Sequence, residues 1–157
     1  MKYIRDGRAP MPESESISKV MSAIRGKNTG PELVLRKALQ EVGEGGYRLH
    51  WKKVPGRPDI SYPGKKVAVF VHGCFWHSCP VCRTPLPKTH TDFWHSKLQV
   101  NRKRDFGKIK ALEKIGWRVV VIWEHELKND PKKCAERVRT VMLSSTHFTK
   151  KVIHNGY

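Results

Sequence analysis

The spacing of apolar residues predicts two helices in the first part of the chain. A short helix can begin at Ser16 or Ser18, with Met21 on its apolar side. A second helix begins at Thr29, where the sequence Thr-Gly-Pro-Glu reads as a capping box, and Gly43 ends it. The predicted apolar face of this second helix consists of Val34, Leu35, Ala38, Leu39 and Val42.

Three strands are predicted next. The first lies at residues 47–51, where apolar and basic residues alternate. The other two, residues 59–62 and 67–71, form a hairpin with Tyr62 opposite Val67. The unbroken apolar run at residues 67–71 is typical of a central strand that is covered on both faces.

The rest of the pattern adds a crossover to this sheet. After a long loop, a helix runs from Thr91 or Asp92 to about Ile115, and a strand follows at residues 117–123. The strand-helix-strand crossover should be right-handed, with residues 67–71 and 117–123 parallel. A last helix begins at Asp130-Pro131, with Cys134, Val138 and Val141 on one face.

These elements predict an α/β fold with a mixed sheet flanked by helices, in the order α-α-β-β-β-α-β-α. The expected organisation is an N-terminal arm at residues 1–15, a single domain at residues 16–145 and a basic C-terminal tail at residues 146–157.

The charge indicates a polyanionic partner. The chain has 31 Lys and Arg against 14 Asp and Glu, a formal net charge of +17, and such an excess repels itself in a compact domain. No long apolar run supports a membrane surface, so nucleic acid is favoured, and a general RNA-binding protein remains an alternative. Without a secretion signal, we expect a cytoplasmic protein whose four cysteines are metal ligands or core residues rather than disulfides.

Three cysteines have the spacing of metal ligands. Cys74, Cys79 and Cys82 form a C-x4-C-x2-C motif, which favours a structural, tetrahedral Zn²⁺ with a fourth ligand. The candidates are His125, Cys134 and the histidines of the loop. Since parallel strands end at the same sheet edge, we expect His125 beside Cys74, whereas Cys134 lies on an apolar helix face and is interpreted as core. The alternative is a set of unliganded, buried thiols.

A carboxylate and two histidines should meet at one end of the hairpin. Asp59 faces Phe70 in the predicted register, which brings it near the strand end where His72 and His77 emerge. A carboxylate beside histidines that order water can hold Mg²⁺. Alternatively, Asp59 caps a turn. Glu32 can reach the same place from the second helix, although it is also the capping partner there.

Aromatic residues lie in and near the loop that carries Cys74, Cys79 and Cys82, called the cysteine loop below. Phe75 and Trp76 lie between the first two cysteines, and Trp94 lies in the first turn of the long helix. They form either a small core or a wedge that stacks between bases.

Together these motifs resemble the very short patch repair (Vsr) DNA mismatch endonuclease family, which nicks DNA at T·G mismatches. The resemblance covers the chain from about Ser18 to Leu127 and is carried by SKVMSAIRGKNTGPEL, VPGRPDI, AVFVHGCFWH, TDFW with NRKRD, and GWRVVVIWE. It implies a restriction-endonuclease-like core in which the strand end leading into His72 replaces the usual acidic-x-lysine motif.

The resemblance also implies roles for single residues. Asp59 and the backbone of Val71 would contact Mg²⁺, and His72 and His77 would position water and assist its attack on the phosphate. Glu32 matches a glutamate of the family's site. The residues that resemble the family's DNA wedge are Met21, Phe75, Trp76 and Trp94.

The zinc ligands depart from the family pattern. Cys79 stands where the family has a histidine and His125 where it has a cysteine, so a Cys₃His set of Cys74, Cys79, Cys82 and His125 is retained. The expected function is therefore Mg²⁺-dependent nicking of double-stranded DNA at T·G mismatches, by a monomer that a mismatch-repair protein can recruit. The alternatives are a non-catalytic, zinc-containing nucleic-acid module and a related nuclease of a mobile element or restriction system.

Overall fold

The computed structural model describes residues 26–144. The predicted N-terminal arm, the first predicted helix with Met21 and the basic tail lie outside the described residues. The described chain forms eight main elements: α1 (Gly30–Glu41), β1 (Arg48–Leu49), β2 (Ile60–Tyr62), β3 (Val67–His72), α2 (Thr91–Lys114), β4 (Arg118–Trp123), α3 (Glu124–Asn129) and α4 (Pro131–Leu143). This is an α/β fold with a four-stranded mixed sheet flanked by helices.

The sheet has the strand order β1-β2-β3-β4. Strands β2 and β3 are antiparallel with Tyr62 opposite Val67, so the predicted hairpin register is confirmed. Its turn is a short 3-10 helix at Pro63–Lys65. Strands β3 and β4 are parallel and pair along their whole length, ending with His72 opposite Trp123. The carboxyl ends of these two strands therefore meet at one edge, as predicted.

Alternate residues of β3 and β4 enter two separate cores, because successive side chains of a strand point to opposite faces. Val67 and Val69 face a core built with α1 and α4, whereas Ala68 and Phe70 face a core built with α2. The central position of β3 is thus confirmed. In the part of the chain that the structure describes, no helix is long and apolar enough to cross a membrane.

Three local predictions are wrong. Val34 does not belong to the apolar face of α1, since it is 40% exposed while Leu35, Ala38 and Leu39 are buried. The strand expected at residues 47–51 is reduced to Arg48–Leu49. The spacing of apolar residues also does not predict α3, whose six residues follow β4 directly without a loop.

Candidate active site and cysteine cluster

Asp59 lies beside the carboxyl end of β3, as the hairpin register requires. Its Oδ2 accepts a hydrogen bond from the backbone N–H of Val71, at 2.8 Å. Burial raises the pKa of Asp59 to about 6, and the nearby Glu32 carboxylate adds to the rise, although the bond from Val71 and the charges of His77 and Lys108 oppose it. The carboxylate is thus held in a place where its own charge is poorly solvated, which favours binding of a cation.

His50 joins Asp59 to Glu32. Its Nε2 is 3.4 Å from Glu32 Oε2, and its Nδ1 is 3.8 Å from Asp59 Oδ1. The residue has a left-handed backbone with φ 45°, and its N–H donates to the carbonyl of Asp59 at 3.2 Å. Burial lowers the pKa of His50. His50 is not among the site residues predicted from the sequence, because the predicted alternation marks only its neighbours Leu49 and Trp51 as apolar positions of the strand.

Glu32 takes part in both the helix cap and the site. One carboxylate oxygen accepts from the backbone N–H of Asn28 at 3.0 Å, and the other accepts from the Thr29 hydroxyl at 3.1 Å. The oxygen that binds Asn28 also lies 3.3 Å from the guanidinium of Arg36. Because the same carboxylate approaches His50, the capping role and a functional role of Glu32 are compatible.

A second group consists of His72, His77 and Asp105. The two imidazole rings are stacked, with centroids 4.0 Å apart and an interplanar angle of 6°. His77 Nδ1 is 2.6 Å from Asp105 Oδ2. Burial lowers the pKa of His72 to about 3, helped by the charge of His77, so His72 is neutral at physiological pH. Burial is the largest single influence and would raise the pKa of Asp105, but the bond with His77 and the charges of His77, His72 and Lys108 together lower that pKa.

Asp105 is not among the site residues predicted from the sequence, yet the helical pattern of α2 contains a signal for it. The buried residues of α2 are Leu98, Asn101, Asp105, Ile109 and Leu112, at helical spacing. Two polar residues on an otherwise apolar helix face need partners when they are buried. Asp105 binds His77, and Asn101 donates to the carbonyl of Trp76 at 3.0 Å.

These two groups offer donor sets for divalent cations. The ligand atoms of Glu32, His50 and Asp59 lie within 4.8 Å of one another, as do those of His72, His77 and Asp105. Carboxylate oxygens are ligands that hard divalent cations prefer. The carboxylates of Asp59 and Glu32 therefore fit a divalent metal ion.

The cysteine cluster is assembled at the same sheet edge. Cys74, Cys79, Cys82 and His125 offer ligand atoms within 4.8 Å of one another. His125 Nδ1 is 3.4 Å from Cys74 Sγ and 3.5 Å from Cys79 Sγ. Tetrahedral zinc with ordinary bond lengths separates such atoms by about 3.6 Å. The expected adjacency of His125 and Cys74 is confirmed, and the cluster fits a metal ion of this kind.

Cys134 lies apart from that cluster, among the apolar side chains of α4 and its neighbours, as expected of a core residue. Burial raises its pKa to about 11. Among residues 26–144, none of the residue groups that could hold a metal ion includes Cys134.

The aromatic residues form a cluster on the cysteine loop. The ring centroids of Phe75 and Trp76 are 5.1 Å apart, and Trp94 lies 5.7 Å from Phe75 and 5.9 Å from Trp76, each pair edge to face. All three side chains are partly exposed rather than enclosed. This arrangement is intermediate between the two predicted roles, a small core and a wedge.

Comparison with known proteins identifies the chemistry. The family model "DNA mismatch endonuclease Vsr" matches residues 11–83. The chain is 44% identical over 110 residues to the type II nicking enzyme V.XorIIP of Xanthomonas oryzae pv. oryzae, covering 70% of this chain and 80% of that protein. It is 37% identical over 116 residues to the DNA mismatch endonuclease Vsr of Escherichia coli (strain K12), covering 73% of each.

The chain is therefore a hydrolytic endonuclease that nicks DNA, and the alternative of a non-catalytic module is wrong. A further relative, the type II nicking enzyme V.NmeAIP of Neisseria meningitidis serogroup A, is 42% identical over 125 residues, 80% of this chain and 88% of that protein. The chain belongs to the DNA mismatch endonuclease Vsr family.

Proposed function

We propose that this enzyme nicks one strand of double-stranded DNA at T·G mismatches in a Mg²⁺-dependent reaction, on a restriction-endonuclease-like core. The observation that carries the proposal is the partly buried carboxylate of Asp59, fixed by the Val71 N–H beside a second carboxylate, Glu32. A partly buried carboxylate with a raised pKa in a strongly basic, DNA-cutting enzyme is the group expected to bind a cation.

Asp59 and the Val71 carbonyl would hold the magnesium ion. In an extended strand, the N–H and C=O of one residue point to the same side, and the Val71 N–H already points at Asp59. Bound Mg²⁺ would neutralise charge that develops on the phosphate and lower the pKa of the attacking water. Glu32 lies close enough to order water around that position.

His77 and His72 would position the attacking water. Asp105 accepts from His77 Nδ1, which fixes the ring and leaves Nε2 as an acceptor. The neutral ring of His72 stacks against the ring of His77 and holds it in place, without a charge that would repel a protonated His77. A proton leaving the water can therefore pass to His77.

A structural Zn²⁺ held by Cys74, Cys79, Cys82 and His125 would fix the loop that carries the aromatics. The distances between the ligand atoms support this set. Phe75, Trp76 and Trp94 would then wedge between bases, together with Met21 from the N-terminal region. Insertion is easier at a mismatch, because its pairing is already weak.

The second candidate is nicking associated with a restriction system. Relatives named type II nicking enzymes favour this association. The hydrolytic machinery would be the same, so the two candidates differ in the DNA that is cut. In either case we infer that the enzyme works as a monomer, and that a mismatch-repair protein recruits it if the first candidate holds.

A nicking assay on matched duplexes tests the proposal. Wild-type enzyme should nick a T·G duplex with Mg²⁺, and not with EDTA, and should leave the T·A duplex of the same sequence intact. Asp59→Ala should abolish nicking with DNA affinity unchanged or higher, since removing an anion cannot weaken attraction to phosphate. Glu136→Gln, which removes an exposed carboxylate from α4, is the control. Equal nicking of both duplexes would refute the mismatch specificity.

A further inference from the structure

Lys108 lies next to the catalytic groups but is not among the residues assigned above. It follows Asp105 by three positions on α2, and its Nζ is 4.0 Å from Asp105 Oδ1. Its side chain is 35% exposed, whereas that of Asp105 is buried. The ammonium group is therefore accessible from solvent on one side and faces the active site on the other.

The loop that leads to Asp59 holds the stem of Lys108 in place. Gly56 in this loop has φ +76°, and a Cβ added there would lie 2.8 Å from Lys108 Cβ and 2.9 Å from its Cγ. The backbone of the loop and the methylene groups of Lys108 are thus in direct contact, with no room for a larger residue. This contact limits the positions that Nζ can take.

The charge of Lys108 affects the pKa values of Asp59, His72 and Asp105. Burial is the largest influence on the pKa of Asp59 and of His72, but Lys108 opposes the rise in the first and contributes to the fall in the second. It also favours the ionised form of Asp105. An ion pair at 4.0 Å between neighbours on one helix adds little stability, and Asp105 already has a shorter partner in His77.

We propose that Lys108 is a further catalytic residue whose ammonium group contacts a non-bridging oxygen of the phosphate that is cut. The proposal rests on the function proposed above, because it places that phosphate between Asp59 and His77. A cation at this position stabilises the negative charge that builds up on the phosphate during attack.

Lys108 neither gains nor loses a proton in the hydrolytic step. The oxygen of the attacking water forms a bond to phosphorus, and the bond from phosphorus to one flanking sugar oxygen breaks. The water gives one proton to His77, and the departing sugar oxygen takes a proton from solvent. Lys108 keeps its three protons and acts by charge and hydrogen bonding alone.

Single-turnover nicking by matched variants tests the proposal. Lys108→Met keeps the stem against Gly56 and removes the ammonium, so we expect the rate to fall about 10²–10³-fold, as for loss of one transition-state donor. DNA affinity should fall far less, since only one of many phosphate contacts is removed. Lys108→Arg should recover part of the rate. The control Lys110→Met removes the same charge from the same helix at a 58% exposed side chain beside Glu113, and should leave the rate unchanged.

Two outcomes would overturn the assignment. One is an equal rate for Lys108→Met and Lys110→Met. The other is recovery of the Lys108→Met rate at alkaline pH, which would mean that Lys108 acts only by keeping Asp105 ionised. Thermal melting checks folding, and Lys108→Gln replaces the methionine variant if that one does not fold. Rates are taken relative to wild type on the same DNA, so a failure of mismatch specificity would appear separately, in the wild-type enzyme.

Discussion

Replacing Asp59 by asparagine should stabilise the metal-free enzyme while abolishing its activity. Asparagine has nearly the same shape, and its side-chain oxygen can still accept the hydrogen bond from Val71. The buried negative charge, however, is removed. In wild type, burial raises the pKa of Asp59 from 3.8 to about 6, so the ionised carboxylate destabilises the fold at neutral and alkaline pH.

The rise in the pKa of Asp59 determines how much Asp59→Asn should stabilise the metal-free enzyme. Each pKa unit corresponds to about 1.4 kcal/mol, so a shift of roughly two units is worth up to about 3 kcal/mol at pH 8. The new amide N–H₂ also needs partners, which reduces the gain, and we expect about 1–3 kcal/mol. For a chain of this size, that raises the melting temperature by about 2–12 °C.

The stability of wild type relative to Asp59→Asn should decrease as the pH rises. The folded carboxyl group holds its proton more tightly than the unfolded one, so wild type takes up a proton on folding between about pH 4 and pH 6. Its stability relative to Asp59→Asn therefore falls as pH rises through this window, and the difference disappears below about pH 4. Excess Mg²⁺ should stabilise wild type, by about 2.7 kcal/mol at 100 times its Kd, and have little effect on the variant.

Thermal melting in EDTA and in Mg²⁺, at several pH values, measures these differences. Glu136→Gln serves again as the control for a lost exposed charge and should melt like wild type. The reasoning would be refuted if Asp59→Asn and wild type melted together at pH 8 without metal. It would also be refuted if the difference persisted unchanged at pH 4.

Three further predictions concern the other parts of the site. The enzyme should hold one Zn²⁺ per chain tightly. His125→Ala should bind it more weakly and melt at a lower temperature, whereas Cys134→Ala and His125→Cys should retain it. Metal analysis showing zinc lost from Cys134→Ala but kept in His125→Ala would exclude His125 as a ligand. Phe75→Ala and Trp76→Ala should each weaken binding by about 1–3 kcal/mol, more on mismatched than on paired duplex, and equal losses in a binding titration would indicate a core role. Glu32→Gln keeps one of the two acceptor oxygens and loses the charge, so nicking should fall about 10–100-fold with a smaller loss of melting temperature; unchanged nicking would show that Glu32 acts only as a helix cap.

The sheet and the meeting of its strand ends could be predicted because they follow from local rules. A short turn fixes the register of a hairpin, which places Tyr62 opposite Val67 and Asp59 near Val71. A strand-helix-strand crossover brings two strand ends to one edge, which places His125 beside Cys74. Both inferences need only element boundaries and chain direction.

The remaining contacts depend on tertiary packing. Asp105 meets His77 because α2 packs against the sheet at one particular rotation about its axis, and the periodicity of α2 does not specify that rotation. His50 reaches two carboxylates because its backbone is left-handed, a conformation that its sequence neighbours do not indicate. The six-residue helix α3 has a single buried residue, Leu127, and hence no apolar period.

The two anchors of the cysteine loop divide it into a fixed part and a replaceable part. Residues 74–82 are tied to His125 through the cysteine cluster, and α2 begins at Thr91. The connecting residues 83–90 are mostly exposed and lie between these anchors. For protein engineering, this segment is the natural position for insertions or exchanges, because changes there leave Asp59, Glu32 and the four residues of the cysteine cluster in place. A library confined to residues 83–90 would therefore vary an exposed surface segment while leaving both groups of residues unchanged.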